Sequence, residues 1–189
     1  MQSNQFLPIV AVVALGFAPS MAQAENAPYL KLKSAEVEWE AKANAKVLKF
    51  EIETGKAVPM DGKSGAFGYA ALSGDTNNVL VLVTHLPIDD STHEQPVSGF
   101  HVHVLDLKQP TAACQGSTLE VNLESSGKNS AFDANYSWKI KRNEIEVKNV
   151  PVSDLGDAGV ENIVSFTLKP VFDQQQKPTN LCINVVDKI

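Results

Sequence analysis

Residues 47–53 read Val-Leu-Lys-Phe-Glu-Ile-Glu, and their alternation of apolar and charged side chains decides the fold class. Successive side chains of a β-strand point to opposite faces, so Leu48, Phe50 and Ile52 share one apolar face and the other face is charged. A strand of this kind packs one face on a core and exposes the other to water. That arrangement is typical of antiparallel sheets.

Similar short segments recur along the chain, separated by turns rich in Gly, Asn, Asp and Pro. The predicted strands cover residues 37–42, 47–53, 65–72, 79–84, 99–107, 119–123, 136–141, 145–147, 164–169 and 181–185. Residues 79–84 form a continuous apolar run, which predicts a strand covered on both faces. The pattern as a whole predicts an all-β fold, an antiparallel Greek-key sandwich or barrel of about 8–10 strands.

The first 24 residues have the composition of a cleavable secretory signal peptide. They contain no Asp, Glu, Lys or Arg, and an apolar run from Leu7 to Ala18 precedes Ala22-Gln23-Ala24, which has small residues at the positions that a signal peptidase reads. About a dozen apolar residues are too few to span a bilayer, which needs roughly 20. We therefore expect residues 1–24 to be removed, and residues 25–189 to form a single secreted or periplasmic β-sandwich domain that does not span a membrane; an uncleaved N-terminal anchor is the alternative.

Charge and cysteine content narrow the possible functions. The net charge is −6 and no basic cluster is present, which argues against nucleic acid as a partner. The two cysteines are Cys114 and Cys182. Export exposes them to an oxidising compartment, where such a pair is usually bridged. We predict one disulfide, worth roughly 4 kcal/mol in the chain-entropy model; two buried free thiols are the alternative.

All four histidines, His85, His93, His101 and His103, fall within nineteen residues. His101 and His103 occupy alternate positions of one predicted strand, so both imidazoles point to the same face. Two imidazoles in this arrangement chelate a transition metal, and imidazole suits copper, zinc and nickel. The alternative interpretation is that both are polar side chains on a solvent-facing strand.

His85 ends the preceding strand, and His93 lies in the loop that connects the two strands. If these strands pair as an antiparallel hairpin, His85 approaches the same face as the His-x-His pair. Possible oxygen ligands nearby in the sequence are Asp89, Asp90, Glu94 and Asp106. We therefore predict a copper or zinc site at His101 and His103, with His85 and His93 as further candidate ligands.

The segment Gly99-Phe100-His101-Val102-His103 resembles the Gly-Phe-His-Val-His segment of copper/zinc superoxide dismutases. In that family the two histidines bind copper on the outside of a Greek-key β-barrel, so the resemblance implies copper ligands at His101 and His103. The family also has a disulfide from the loop after this strand to the last strand. Cys114 and Cys182 stand in those two places.

The chain departs from the family after the His-x-His strand. The family's remaining metal ligands follow that strand, whereas this chain has no histidine after His103. The Gly-Asp that usually follows the segment is replaced by Val104-Leu105-Asp106. The resemblance therefore extends to a degenerate domain of this type, and it implies neither a zinc site nor an active dismutase.

Three functional hypotheses follow from these features. The first is an exported β-sandwich that binds copper or another late transition metal for storage, delivery or sensing, without catalysis. The second is a structural or partner-binding module of the cell envelope or an adhesin, in which residues 29–33 pair with a neighbouring protein. The third, a hydrolase or lyase that uses His101, ranks last because no nucleophile motif accompanies it.

Overall fold

The computed structural model describes residues 27–42, 45–73, 77–86, 88, 91–128, 131–155 and 159–189. The predicted signal peptide, residues 1–24, lies outside the described residues. Within them, no helix is both long enough and apolar enough to cross a membrane.

Antiparallel β-strands dominate the described residues, with 3-10 helices at Pro28–Leu30, Ala112–Cys114 and Val152–Leu155. In chain order the strands are β1 (Leu32–Lys42), β2 (Ala45–Thr54), β3 (Phe67–Ser73), β4 (Val79–Thr84), β5 (His101–Leu105), β6 (Leu107–Lys108), β7 (Leu119–Val121), β8 (Asp133–Ala134), β9 (Ser137–Lys141), β10 (Glu144–Pro151), β11 (Val160–Phe172) and β12 (Pro178–Lys188). Nine of these have five or more residues, so the predicted all-β fold class is confirmed.

The strands form two sheets. The smaller sheet has the order β1-β2-β10-β9, and the larger has the order β6-β7-β12-β11-β3-β4-β5-β8. In the smaller sheet Phe50 of β2 lies opposite Val37 of β1 and Val147 of β10, so the alternation at residues 47–53 marks a strand with neighbours on both sides. Its apolar face packs against the larger sheet.

A first hydrophobic core fills the space between the two sheets. It contains buried side chains from both of them, among them Leu48, Phe50, Ile145, Tyr69, Leu82, Phe100 and Val102. Phe67 contacts Phe100 edge-on, with ring centroids 5.5 Å apart. Aromatic pairs in this geometry add to the stabilisation that burial of their apolar surface provides.

A second core lies on the opposite face of the larger sheet. Strand β4 divides its side chains between the two cores, because Leu80 and Leu82 belong to the first core whereas Val79, Val81 and Val83 belong to the second. All six β4 residues are buried. The continuous apolar run at residues 79–84 therefore reflects a central strand that is covered on both faces, as predicted.

The larger sheet curls around this second core. Strand β5 pairs with β4 near one end of the sheet, and β6, which follows after Asp106, pairs with β7 at the other end. Residues 101–108 thus connect the two ends within a single extended segment. The side chains that β5 directs to this face are enclosed by the curled sheet.

The predicted disulfide joins Cys114 to Cys182 in β12. Beside it, Glu120 of β7 lies opposite Cys182 and is fully buried. The Glu120 carboxylate accepts hydrogen bonds from the Thr111 N–H (2.7 Å) and the Asn180 amide (2.8 Å), and pairs with the Lys108 ammonium at 3.3 Å. A buried carboxylate with this many donors is well compensated for the loss of water.

Replacing Cys114 and Cys182 together by serine removes a cross-link between residues 68 positions apart in the sequence. We expect the free energy of unfolding to fall by about 4 kcal/mol, because the unfolded chain regains the entropy of an open loop. Urea denaturation measures the difference, and the wild-type protein titrated in a disulfide reductant provides the control. A loss below about 1 kcal/mol would contradict this prediction.

The environment of Glu120 makes the free energy of unfolding depend on pH in a specific way. Burial alone would raise the pKa of Glu120, but the hydrogen bonds from Thr111 and Asn180 and the pairing with Lys108 lower it from 4.5 to about 2. Because the native state favours the charged form, this stabilisation is complete above pH 4.5 and is lost as the pH falls from 4.5 to about 2.

Glu120→Gln should therefore reduce stability at pH 7, by about 1–3 kcal/mol, and flatten the loss of stability below pH 4.5. Urea denaturation of both proteins at several pH values between 7 and 2 measures this effect. Parallel curves for the two proteins across that range would be inconsistent with a strongly stabilised carboxylate at residue 120.

Candidate metal centre

The pairing of β4 with β5 determines where the histidines lie. Val81 is opposite His103 and Val83 is opposite His101, and directly opposite residues share a face of the sheet. Both imidazoles therefore point toward the second core, whereas Phe100, which precedes His101, and Val102, which lies between the two histidines, point into the first. The prediction that His101 and His103 share one face is confirmed.

His85 follows directly after β4 and joins the same cluster. The His101 Nε2 atom lies 3.0 Å from His85 Nε2 and 2.9 Å from His103 Nε2. The His101 ring is nearly perpendicular to the other two, and the rings of His85 and His103 are parallel with centroids 6.1 Å apart. Three Nε2 atoms from two adjacent strands thus converge on one point.

Each ring uses its other nitrogen to bind the backbone. The Nδ1–H groups of His85, His101 and His103 donate to the carbonyl oxygens of Ile88 (2.7 Å), Gly99 (2.8 Å) and Phe132 (2.9 Å), respectively. A carbonyl oxygen only accepts, so each Nδ1 carries a hydrogen, and Nε2 is the nitrogen that each ring can offer to a metal ion at the common point. Metal-ligating histidines in proteins typically make this second hydrogen bond.

The proximity of three Nε2 atoms favours the binding of a cation between them. Acceptors this close repel one another, and a metal ion among them converts the repulsion into coordination. Zinc–imidazole bonds are about 2.1 Å long, which separates donors around one ion by about 3.4–3.6 Å. Binding therefore requires the rings to move apart by about half an ångström. The group formed by these three residues has the composition and proximity of a metal centre.

The three histidines are buried, with 4%, 0% and 2% of His85, His101 and His103 exposed. The ring of Phe132 lies 4.6 Å from that of His103, centroid to centroid. The alternative interpretation placed both His101 and His103 on a solvent-facing strand. That expectation is wrong, because the curled sheet encloses this face.

The loop before β5 is fixed next to the cluster by Gly99. The φ angle of Gly99 is +70°, and a Cβ at this residue would lie 2.6 Å from Leu86 Cγ and 2.9 Å from Glu94 Oε1. Glycine is therefore required both by the backbone conformation and by the close approach of two side chains. The Gly99 carbonyl in turn orients the His101 ring.

His93, the fourth candidate ligand, lies outside the three-histidine group and is exposed. Its electrostatic partner is Asp133, which accepts hydrogen bonds from the Ser91 hydroxyl (2.6 Å) and the Thr92 N–H (3.2 Å). Burial alone would raise the pKa of Asp133, but these hydrogen bonds and the proximity of His93 lower it. This network attaches residues 91–93 to β8.

The candidate oxygen ligands have other positions. Asp106 accepts a hydrogen bond from the Asn78 N–H at 2.9 Å, and Glu94 lies against Gly99. Asp89 and Asp90 are outside the described residues. Among the residues that the structure describes, the group of potential ligands around the common point consists of histidines alone.

The sequence pattern identifies the three candidate ligands, but it does not reveal the backbone carbonyls that orient their rings. The carbonyls of Ile88, Gly99 and Phe132 carry no residue-specific signal, since every residue has a carbonyl. Phe132 lies far along the chain and reaches His103 only through the pairing of β5 with β8. Gly99, which precedes the His-x-His strand, was the one residue in the sequence that indicated an unusual backbone conformation at this place.

Comparison of the chain with protein-family models, with curated proteins and with solved structures finds no match in any of the three.

Gly99→Ala tests how the cluster is supported. We expect it to lower the free energy of unfolding by about 2–4 kcal/mol, because it combines an unfavourable φ with overlap against Leu86 and Glu94. Gly116→Ala is the matched control, since Gly116 has a φ of +87° but open space around it, and should cost about 1 kcal/mol. Urea denaturation distinguishes the two. Equal losses would show that Gly99 matters only for its backbone angle.

Proposed function

We propose that this protein binds a late transition metal, with copper the first candidate, through His85, His101 and His103. The observation that carries the proposal is the convergence of three Nε2 acceptors whose rings are each held by an Nδ1–H hydrogen bond to the backbone. Imidazole nitrogen is a good ligand for copper, zinc and nickel, and copper binds such donors most tightly among the divalent ions of the first row. The resemblance of residues 99–103 to the copper-binding segment of copper/zinc superoxide dismutases favours the same metal.

The proposal places this activity outside the cytoplasm, in a secreted or periplasmic protein. The Cys114–Cys182 disulfide supports it, because such bonds persist in oxidising compartments. The composition of residues 1–24 supports it independently. A buried copper site in an exported protein suits uptake, storage or delivery of the ion in that compartment.

We propose binding without catalysis. The three rings are almost completely covered, so a substrate has little access to an ion bound between them. His101 Nδ1 donates to the Gly99 carbonyl, and its Nε2 lies within 3.0 Å of the other two Nε2 atoms, at the point where the proposed ion would be bound. This arrangement favours holding an ion over using His101 as a general base for a hydrolase or lyase.

A partner-binding envelope module is the second candidate. Residues 29–33 support it less than their sequence indicated, because Leu30 is fully buried and the carbonyls of Tyr29 and Leu30 accept hydrogen bonds from Tyr69 and Ser165 of the same domain. The feature that favours this candidate is Trp39 of β1, an edge strand of the smaller sheet, which is 61% exposed. Large exposed aromatic side chains are common at protein interfaces.

The test is equilibrium dialysis of the mature protein against Cu²⁺, Zn²⁺, Ni²⁺ and, under ascorbate, Cu⁺, followed by metal analysis. We expect one equivalent of bound metal. The variant His101→Leu/His103→Leu retains apolar packing but removes two ligands, and should bind at least about 100-fold more weakly. His93→Ala, which removes the exposed histidine outside the group, is the matched control and should bind like the wild type.

Circular dichroism establishes that the double variant is folded before its metal content is compared. If the folded double variant retains as much metal as the wild type, or if the wild type retains none of the four ions, the proposed function is wrong. The partner-binding module then becomes the leading candidate.

A further inference from the structure

The surroundings of the three histidines indicate the charge of the ion that they hold. We infer that the site selects a monovalent ion, Cu⁺, over Zn²⁺ and other divalent ions. This inference rests on the proposed function, since it concerns the same three ligands. Three properties support the inference: the charge of the ligands, the number of ligands and the apolar lining of the adjoining cavity.

The ligands contribute no negative charge. Each ring donates Nδ1–H to a carbonyl oxygen and is thereby a neutral donor at Nε2, and the ligand group contains no carboxylate or thiolate among the described residues. The cost of transferring an ion from water to an apolar interior rises with the square of its charge, so a divalent ion costs about four times as much as a monovalent one. Three imidazole ligands add no charge of their own, so a bound divalent ion keeps a net charge of +2 and a bound monovalent ion a net charge of +1.

Among the described residues, two carboxylates lie near the cluster. Glu94 lies against Gly99, whose carbonyl accepts the Nδ1–H of His101. Asp133 is opposite His103 in the pairing of β5 with β8, but its oxygens accept hydrogen bonds from Ser91 and Thr92 and it interacts with His93. The three metal ligands themselves therefore provide no charge that favours a divalent ion over a monovalent one.

Within the part of the chain that the structure describes, the site also offers no polar position for the extra ligand that a divalent ion requires. Zn²⁺ bound by three protein ligands completes its coordination with water, and a buried water needs two to four polar partners. A cavity of about 20 Å³ adjoins His85 and His103. The other residues that line it are all apolar: Val81, Val83, Leu105, Val121, Phe132, Phe166, Leu168, Leu181 and Ile183.

This cavity is large enough for one water molecule, but among the described residues its only polar side chains are two imidazoles, whose Nδ1 atoms bind the backbone and whose Nε2 atoms face the common point. A dry, apolar cavity of this kind disfavours a metal-bound water or hydroxide. Cu⁺ is satisfied by three nitrogen donors without a fourth ligand. The same features that exclude a hydrated divalent ion therefore accommodate Cu⁺.

The experiment compares affinities in the mature wild-type protein with its disulfide intact. Cu⁺ is maintained with ascorbate and measured by competition with bicinchoninate, Zn²⁺ is measured by competition with a chromophoric zinc chelator, and Ag⁺ serves as a monovalent ion without redox chemistry. We expect Cu⁺ to bind at least about 100-fold more tightly than Zn²⁺, with Ag⁺ also displacing Zn²⁺. A smaller ratio, or Zn²⁺ resisting displacement by Ag⁺, overturns the inference.

The variant His85→Asp tests the role of charge directly. It replaces a neutral donor by a carboxylate, so the ratio of Cu⁺ to Zn²⁺ affinity should fall by at least about 10-fold relative to the wild type, while His93→Ala leaves the ratio unchanged. An unchanged ratio in folded His85→Asp protein counts against the inference. If this variant does not fold, the wild-type ratio alone decides.

The two proposals fail in different ways. Tight binding of Zn²⁺ that depends on His101 and His103 overturns selectivity for Cu⁺ and leaves the proposed metal binding intact. Absence of binding by every ion overturns both.

Discussion

The pairing of β4 with β5 is the constraint on which the rest of the structure depends. β4 is buried on both faces, and its partner β5 is buried along its whole length as well. Alternate side chains of this region enter different cores, with Phe100 and Val102 in the first and the two histidines beside the second. Polar rings are thereby placed among valine and phenylalanine side chains, where each polar atom needs a partner.

The backbone supplies half of those partners. Three carbonyls, one in the loop after β4, one just before β5 and one just before β8, accept the Nδ1–H groups, and the rings direct their remaining nitrogens toward one another. The rings are thus held in place by the protein itself, which would reduce the conformational entropy lost on binding an ion. An ion bound as we propose would link β4 to β5 and stabilise the native state by mass action.

Much of the fold and of the ligand set is predictable from local periodicity. The alternation at residues 47–53, the continuous apolar run at residues 79–84 and the His-x-His spacing each report a period of two, and all three correspond to observed features. The burial of the histidine face was not predictable in this way. It depends on the pairings of β6 with β7 and of β7 with β12, and the second of these joins Glu120 to Cys182, which is distant in sequence. The separation of His93 from the cluster has the same origin, because Ser91 and Thr92 attach to Asp133 across the fold.

In the proposed complex, His85, His101 and His103 each keep a hydrogen on Nδ1 and bind one ion through Nε2. Long-range proton–nitrogen NMR of histidine side chains in the Cu⁺-loaded protein tests this claim most directly. The account predicts a hydrogen on Nδ1 and a shift of Nε2 on metal binding for His85, His101 and His103, and no metal-dependent shift for His93. A hydrogen on Nε2 of any of the three, or metal-dependent shifts confined to His93, would contradict it.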